Sequence, residues 1–285
     1  MDIIEIEITS PKYPELLKLI PNPPKKLYCI GDISLLNTKC VAIVGSREPS
    51  RYGEEVTEKF AAGLAKAGVT VVSGLAYGID AIAHRTVLKE GGKTVGVLGC
   101  GIDVIYPVQN ANLYKEMYQK GLVISEYPQG TKPNQYQFPE RNRIISGLCK
   151  GVLVAEAREK SGSLITADCA TEQGRDLFII PSAITSKRGE GGNNMLKLYP
   201  QAFVTDPSDI LGGIGVDAIV NSRPPKQLDY TESLLVEALS FKDLHFDEIL
   251  QLTQIPLTEL NALLTKLGLF GVLKKLDNNY YGLQG

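Results

Sequence analysis

The sequence predicts an α/β protein: a mostly parallel sheet wound by helices on both faces, followed by a small helical domain ending in a hairpin. Three observations predict it. From Lys39 onward, short runs of branched apolar residues alternate with helical patterns, the signature of βαβ units. Five successive runs end in turns rich in glycine or serine, and right-handed crossovers bring such turns to one edge of a sheet. From about Asp229 the pattern changes to three amphipathic helical segments and GVLKKLDNNYYGL, a hairpin turning at Asp277-Asn278-Asn279.

Residues 1–38 read as a leader packed on the main domain: a short amphipathic helix, a Pro-rich connector and the strand-like LYCIG. Residues 39–213 form the α/β domain. Its strands are VAIVGS, VTVVSG, KTVGVLGCG, LVISEYP, VLVAEA and RDLFIIPS. Helical patterns fall between them, including EPSRYGEEVTEKFAAGLAKAG, GIDAIAHRTVLKEGG, ERNRIISGLCKG and GSLITADCATEQG. SAITSKRGEGGNNMLKLYPQ reads as a loop with a short helix that carries Lys187 and Arg188 toward the same edge. AFVTDPSDILGG then reads as a final strand and a capped helical turn. Residues 214–228, with glycine early and Pro-Pro late, are a linker by composition.

The first strand stops on Gly45-Ser46-Arg47. A helix starting just beyond a strand points free N–H groups and the positive end of its dipole at the turn, and Arg47 adds a planar fork of donors. That arrangement binds phosphate; the other reading is a tight βα turn with a solvated arginine. Asp80 and His84, four apart on one helical face, read as a cap and a packed histidine, with an acid–base pair as the alternative. GTKPNQYQFPERNRIISGLCK is polar, then helical from near Pro139. It carries Lys132, Arg141, Arg143 and Lys150 against Glu140, with Tyr136 and Phe138 among them. Aromatic faces beside guanidinium groups make a platform for unpaired bases. Alternatively, Phe138 staples the helix entry and the arginines bond carboxylates or carbonyls.

Composition excludes several classes. A net charge of -2 requires any nucleic-acid site to be a local patch. No apolar run reaches a membrane span, and MDIIEIEITS is not a signal peptide. Five cysteines without CxxC spacing and two distant histidines argue against a disulfide framework or a metal site, so a cytoplasmic protein is expected. Neither G-x-G-x-x-G nor a Walker A motif occurs, and no cofactor is expected.

The tail, 229–285, reads as a winged helix-turn-helix. Its eight carboxylates against four lysines give a net charge of -4. Phosphate contacts dominate duplex affinity, so this domain reads as a protein-interaction or regulatory module rather than a duplex binder.

VAIVGSR, SGLAYGIDAIAH, GVLGCGIDVIYP, ISEYPQG, FPERNRIISGL and SGSLITADCATEQGRDLFIIP, in this order, closely resemble the DprA/Smf family of DNA-processing proteins over about Tyr13 to Leu211. The tail resembles the winged-helix module of many members. The resemblance implies an extended Rossmann-like domain that binds single-stranded DNA without catalysis. It also implies protection of incoming DNA in natural transformation, help in loading the RecA recombinase, and a homodimer. Carried over by position, Arg47 would contact the strand's backbone, and Phe138, Arg141 and Asn142 of FPERN would lie in the same groove. Gly45, Ser46, Ser73, Gly74 and Ser163 would shape a phosphate-binding floor; the loop reading above, rather than the resemblance, adds Lys187 and Arg188 as DNA-binding candidates. Ser182, Cys149 and KLYPQA depart from the family pattern and bear only on the Lys187–Pro200 loop. The alternative is a nucleotide-binding or nucleotide-processing enzyme or sensor, since the sheet also resembles that of lysine-decarboxylase-like phosphoribohydrolases. Their PGGxGTxxE glutamate has no counterpart in SGSLITADC, where Asp168 stands at a different offset.

Overall fold

The computed structural model describes residues 3–216, 229–240, 242–269 and 272–283. They fall into two compact units, Met1–Ala218 and Ile219–Gly285.

The sheet of the first unit is built on β3 (Cys40–Val44), β4 (Thr70–Ser73), β5 (Thr94–Leu98), β6 (Leu122–Ser125), β7 (Gly151–Val154) and β8 (Asp176–Ile179). These six strands are parallel and lie in the order β6-β5-β4-β3-β7-β8. Their runs of valine, isoleucine and leucine are buried on both faces, as strands covered by helices must be. Within β3, Val41 and Ile43 enter one apolar cluster while Ala42 and Val44 enter the cluster on the opposite face. The first face is covered by α2 (Arg51–Lys66), α3 (Ile79–Lys89) and α4 (Ala111–Lys120), and the second by α5 (Gln137–Gly147), α6 (Gly162–Glu172) and α7 (Glu190–Leu198). From β3 the chain steps through α2 to β4 on one side, and β7 lies on the other. The order therefore reverses between β3 and β7, which makes the carboxyl ends of those strands the switch point of the sheet.

The leader contributes more than packing. β1 (Ile4–Glu7) and β2 (Lys26–Gly31) extend the sheet beyond β6 as antiparallel strands, with Ile30 opposite Val123. The short helix α1 (Glu15–Lys18) lies between them and sets Leu17 into the core. At the far edge, the strand expected in AFVTDPSDILGG is reduced to one bridge, Ile179 to Phe203, because Pro200–Ala202 turns as a 3-10 helix directly before it. The capped turn is present as α8 (Pro207–Gly213), where Asp206 and Asp209 form a reciprocal capping box. Of the expected linker, residues 217–228 lie outside the described residues, while Ile214 and Val216 pack into the core of the first unit.

The second unit contains α9 (Tyr230–Ala238), β9 (Leu244–His245), α10 (Phe246–Thr253), α11 (Leu257–Leu269), β10 (Leu273–Lys275) and β11 (Tyr280–Leu283). The strands pair in the order β10-β11-β9. Leu235, Ile249, Leu260, Leu264 and Leu267 form its apolar centre. Asn278 and Asn279 turn the hairpin in the left-handed region, which asparagine tolerates better than other side chains. Three helices and a hairpin give the winged-helix arrangement.

Candidate nucleic-acid interface

The site grows from the end of β3. At Gly45 a Cβ would lie 2.7 Å from the Ile79 side chain and 2.9 Å from the Glu156 carbonyl, so only glycine lets the chain turn between α3 and β7. Ser46 is then fixed from both neighbours: its N–H donates to the Glu156 carbonyl at 2.8 Å, and its carbonyl accepts from Ile79 N at 3.1 Å. This leaves Arg47 projecting into solvent over the Phe138 ring, with its guanidinium carbon 5.7 Å from the ring centre. Among the described residues no carboxylate forms an ion pair with Arg47. Phe138 comes from the first turn of α5. Its ring stacks on Tyr106 with centres 5.5 Å apart and rests against Gly99.

The opposite wall is the start of α6. Ser161 caps it, accepting from Ser163 N at 3.4 Å, and the two serine hydroxyls lie 2.7 Å apart. Asn142 ties this start to α5 by donating to the Gly162 carbonyl at 3.1 Å. Together these elements enclose a cleft of about 1130 Å³. Gly45, Ser46, Arg47, Phe138, Arg141, Asn142 and Ser163 all line it. Its charged lining residues are Arg47, Lys132, Arg141, Arg158 and Lys160 against Glu48 and Asp80. A chain that is acidic overall thus keeps a locally cationic cleft at its switch point.

Four expected site residues lie elsewhere. Ser73 is fully buried and donates its hydroxyl to the Ile43 carbonyl at 2.7 Å. The Gly74 N–H donates to Asp80 at 3.1 Å, and its carbonyl accepts from Arg141 at 2.9 Å. The phosphate floor expected of Ser73 and Gly74 is corrected accordingly: their donors face inward and are taken. Lys187 is exposed and does not line the cleft. Arg188 is also outside it and donates to the carbonyls of Glu48 and Pro49 at 2.8 and 2.6 Å, so it braces the loop behind Arg47. Arg141 lines the cleft but is only 4% exposed, and it donates to the carbonyls of Gly74 and Val97. Its role is to support the floor.

The expected free helix terminus after β3 is corrected as well. The cap of α2 is held by the Glu156 carboxylate, which accepts from Ser50 N at 2.7 Å and Ser50 Oγ at 2.5 Å. Asp80 and His84 form no acid–base pair. Asp80 accepts from the turn before α3, and burial pushes its carboxyl above the usual range while Arg141 opposes that shift. His84 is fully buried, with Nδ1 2.7 Å from Thr94 Oγ1. The Thr94 hydroxyl donates to the Val71 carbonyl, so Nδ1 carries the imidazole proton. Burial pulls His84 down to about 3.

A family model described as DNA recombination-mediator protein A matches residues 5–215, and one described as the DprA winged helix domain matches 221–279. The chain belongs to the DprA/Smf family. The DNA processing protein DprA of Bacillus subtilis is 38% identical over 228 residues, which cover 80% of this chain and 73% of that protein. The crystal structure of DprA from Streptococcus pneumoniae is similar at 42% identity and a TM-score of 0.71, covering 74% of each chain. DprA from Helicobacter pylori, whose structure is described in terms of its single-stranded DNA binding mode, is similar at 34% identity and a TM-score of 0.67, covering 74% of this chain and 95% of that one.

In this DprA/Smf chain the structure adds Tyr106, Lys132, Arg158 and Lys160 to the cleft. Lys132 stood in the polar stretch already singled out. Arg158 and Lys160 were legible only as charges beside the Ser161-Gly162-Ser163 turn, and Tyr106 carried no signal of its own. Asp168 does not line the cleft. No helix among the described residues is long and apolar enough to cross a membrane.

Proposed function

We propose that the protein binds single-stranded DNA in the switch-point cleft and leaves it chemically unchanged. The observation that carries this reading is Arg47, exposed and without an ion-pair partner among the described residues, set over Phe138 at the mouth of a cationic cleft. A flexible strand needs just these elements: side-facing cations for the phosphates and aromatic faces for unpaired bases. In this proposal Arg47, Lys132 and Lys160 track the backbone, Phe138 and Tyr106 meet bases, and Gly45, Ser46, Asn142 and Ser163 shape the wall. Kinship with a Helicobacter pylori protein described as a single-stranded DNA binder supports the same reading. Protection of incoming DNA, loading of RecA and a homodimeric state extend the proposal on the family resemblance, and a cytoplasmic location extends it on cysteine usage.

Fluorescence anisotropy with labelled oligo-dT, beside a nucleotide hydrolysis assay, tests it. Strand affinity that falls as salt rises, without hydrolysis, is the expected result. Hydrolysis with no strand binding would favour a nucleotide-processing enzyme. We also propose that the acidic second unit serves a protein partner, so that truncation after residue 228 leaves oligo-dT affinity within about threefold of the full chain. Loss of binding in the truncated protein would assign the strand to that unit as well.

A further inference from the structure

On open α/β sheets the first helix after the first parallel strand is a natural anion site: its leading N–H groups and its dipole face the switch point, where a nucleotide's phosphates settle. Here α2 holds that place, and the chain itself fills it. Glu156, 2% exposed at the end of β7, sets its carboxylate against Ser50 N and Ser50 Oγ. Ser50 Oγ in turn accepts from Gly53 N at 3.1 Å, so two of the four leading N–H groups of the helix, those of Ser50 and Gly53, are taken from within. Gly53 makes the fit possible, because a Cβ there would lie 2.7 Å from Glu156 Oε2. Neither Ser50, Gly53 nor Glu156 lines the cleft, although Gly45 to Glu48 do.

We propose that Glu156 is a built-in anion that occupies the helix-terminal phosphate site and so closes that site to mononucleotides. A nucleotide phosphate entering there would have to displace a buried carboxylate of its own sign, and a displaced carboxylate would lose both Ser50 donors. A strand needs no such entry, since Arg47 meets its phosphates from the side and many contacts share the load. Glu156 is therefore a specificity residue that touches no ligand. The inference rests on the reading that the cleft takes a strand.

The test measures direct binding of dTMP by calorimetry, beside oligo-dT anisotropy, for the wild type, Glu156→Ala and Gly53→Ala. Glu156→Ala empties the site. Gly53→Ala keeps the charge but pushes the carboxylate off the first turn. The expected result is dTMP binding about tenfold tighter in Glu156→Ala, the scale of one charge-assisted hydrogen bond, with a smaller gain in Gly53→Ala. If neither folded variant binds dTMP more tightly than the wild type while both still bind oligo-dT, the inference fails. Should Glu156→Ala not fold, Gly53→Ala decides alone by the same criterion. Independently, a wild-type crystal soaked in dTMP that shows phosphate on Ser50 N and Gly53 N overturns the inference outright. Absence of oligo-dT binding by the wild type would instead overturn the strand reading.

Discussion

The turns after β3 and β4 look alike in sequence and do opposite things. Each leaves a buried parallel strand through a serine and a glycine, Gly45-Ser46 in one and Ser73-Gly74 in the other. After β4 the donors of the serine and the glycine turn inward, the Ser73 hydroxyl to Ile43 and the Gly74 N–H to Asp80, with Arg141 closing the Gly74 carbonyl from below. After β3 the backbone is equally well satisfied, yet the next side chain, Arg47, is left exposed beside an aromatic ring. A glycine-rich turn at a strand end is thus not in itself a binding element. What decides is whether the protein has already taken its donors. The β4 turn is a strut, and the β3 turn offers a charge.

The largest expected effect breaks the strut. Arg141→Met removes the donor from two buried carbonyls and a compensating charge from Asp80, and should cost about 3–5 kcal/mol of stability in urea denaturation. A loss below about 1 kcal/mol would show that Arg141 belongs to the ligand rather than to the fold.

The next effect depends on pH. His84 sits behind the same turn with its folded pKa pulled down to about 3 from 6.5, so the unfolded chain takes up a proton first as the solution is acidified. The stability His84 contributes is complete above pH 6.5 and drains away as pH falls toward 3, by about 2 kcal/mol between pH 7 and pH 5. His84→Asn, whose amide nitrogen can replace Nδ1 against Thr94, should lack that slope in urea midpoints measured at both pH values. An identical slope in the variant would mean that His84 is not held neutral.

How much of this was legible in the sequence follows from where each interaction is written. The six parallel strands were, because continuous β-branched runs have few other structural uses. β1 was not: IEIE is a short edge strand with only Ile6 buried, and its alternation is easily taken for an acidic leader. The strand expected at AFVTD shrank to a bridge because the preceding turn sets only Phe203 in register. Arg47 and Phe138 could be nominated from residue type, and the structure brings them within cation–π distance. The inward turn of Ser73 and the closure of α2 by Glu156 could not be read. Both depend on which strand lies beside β3, a fact about sheet order that no local pattern carries.

The smallest expected effect sharpens the contrast from the silent side. Ser73→Ala should cost about 1 kcal/mol of stability through its lost bond to Ile43, with oligo-dT affinity unchanged. Weakened strand binding at unchanged stability would place the β4 turn in the interface after all.

The most direct measurement is oligo-dT anisotropy for Arg47→Ala at fixed salt, with a urea midpoint taken on the same sample. The expected result is an affinity loss of about 1–3 kcal/mol with stability changed by less than about 1 kcal/mol, because the Arg47 side chain has no ion-pair partner among the described residues and touches the fold through the Phe138 ring. Wild-type affinity in that variant, at an unaltered midpoint, would contradict it.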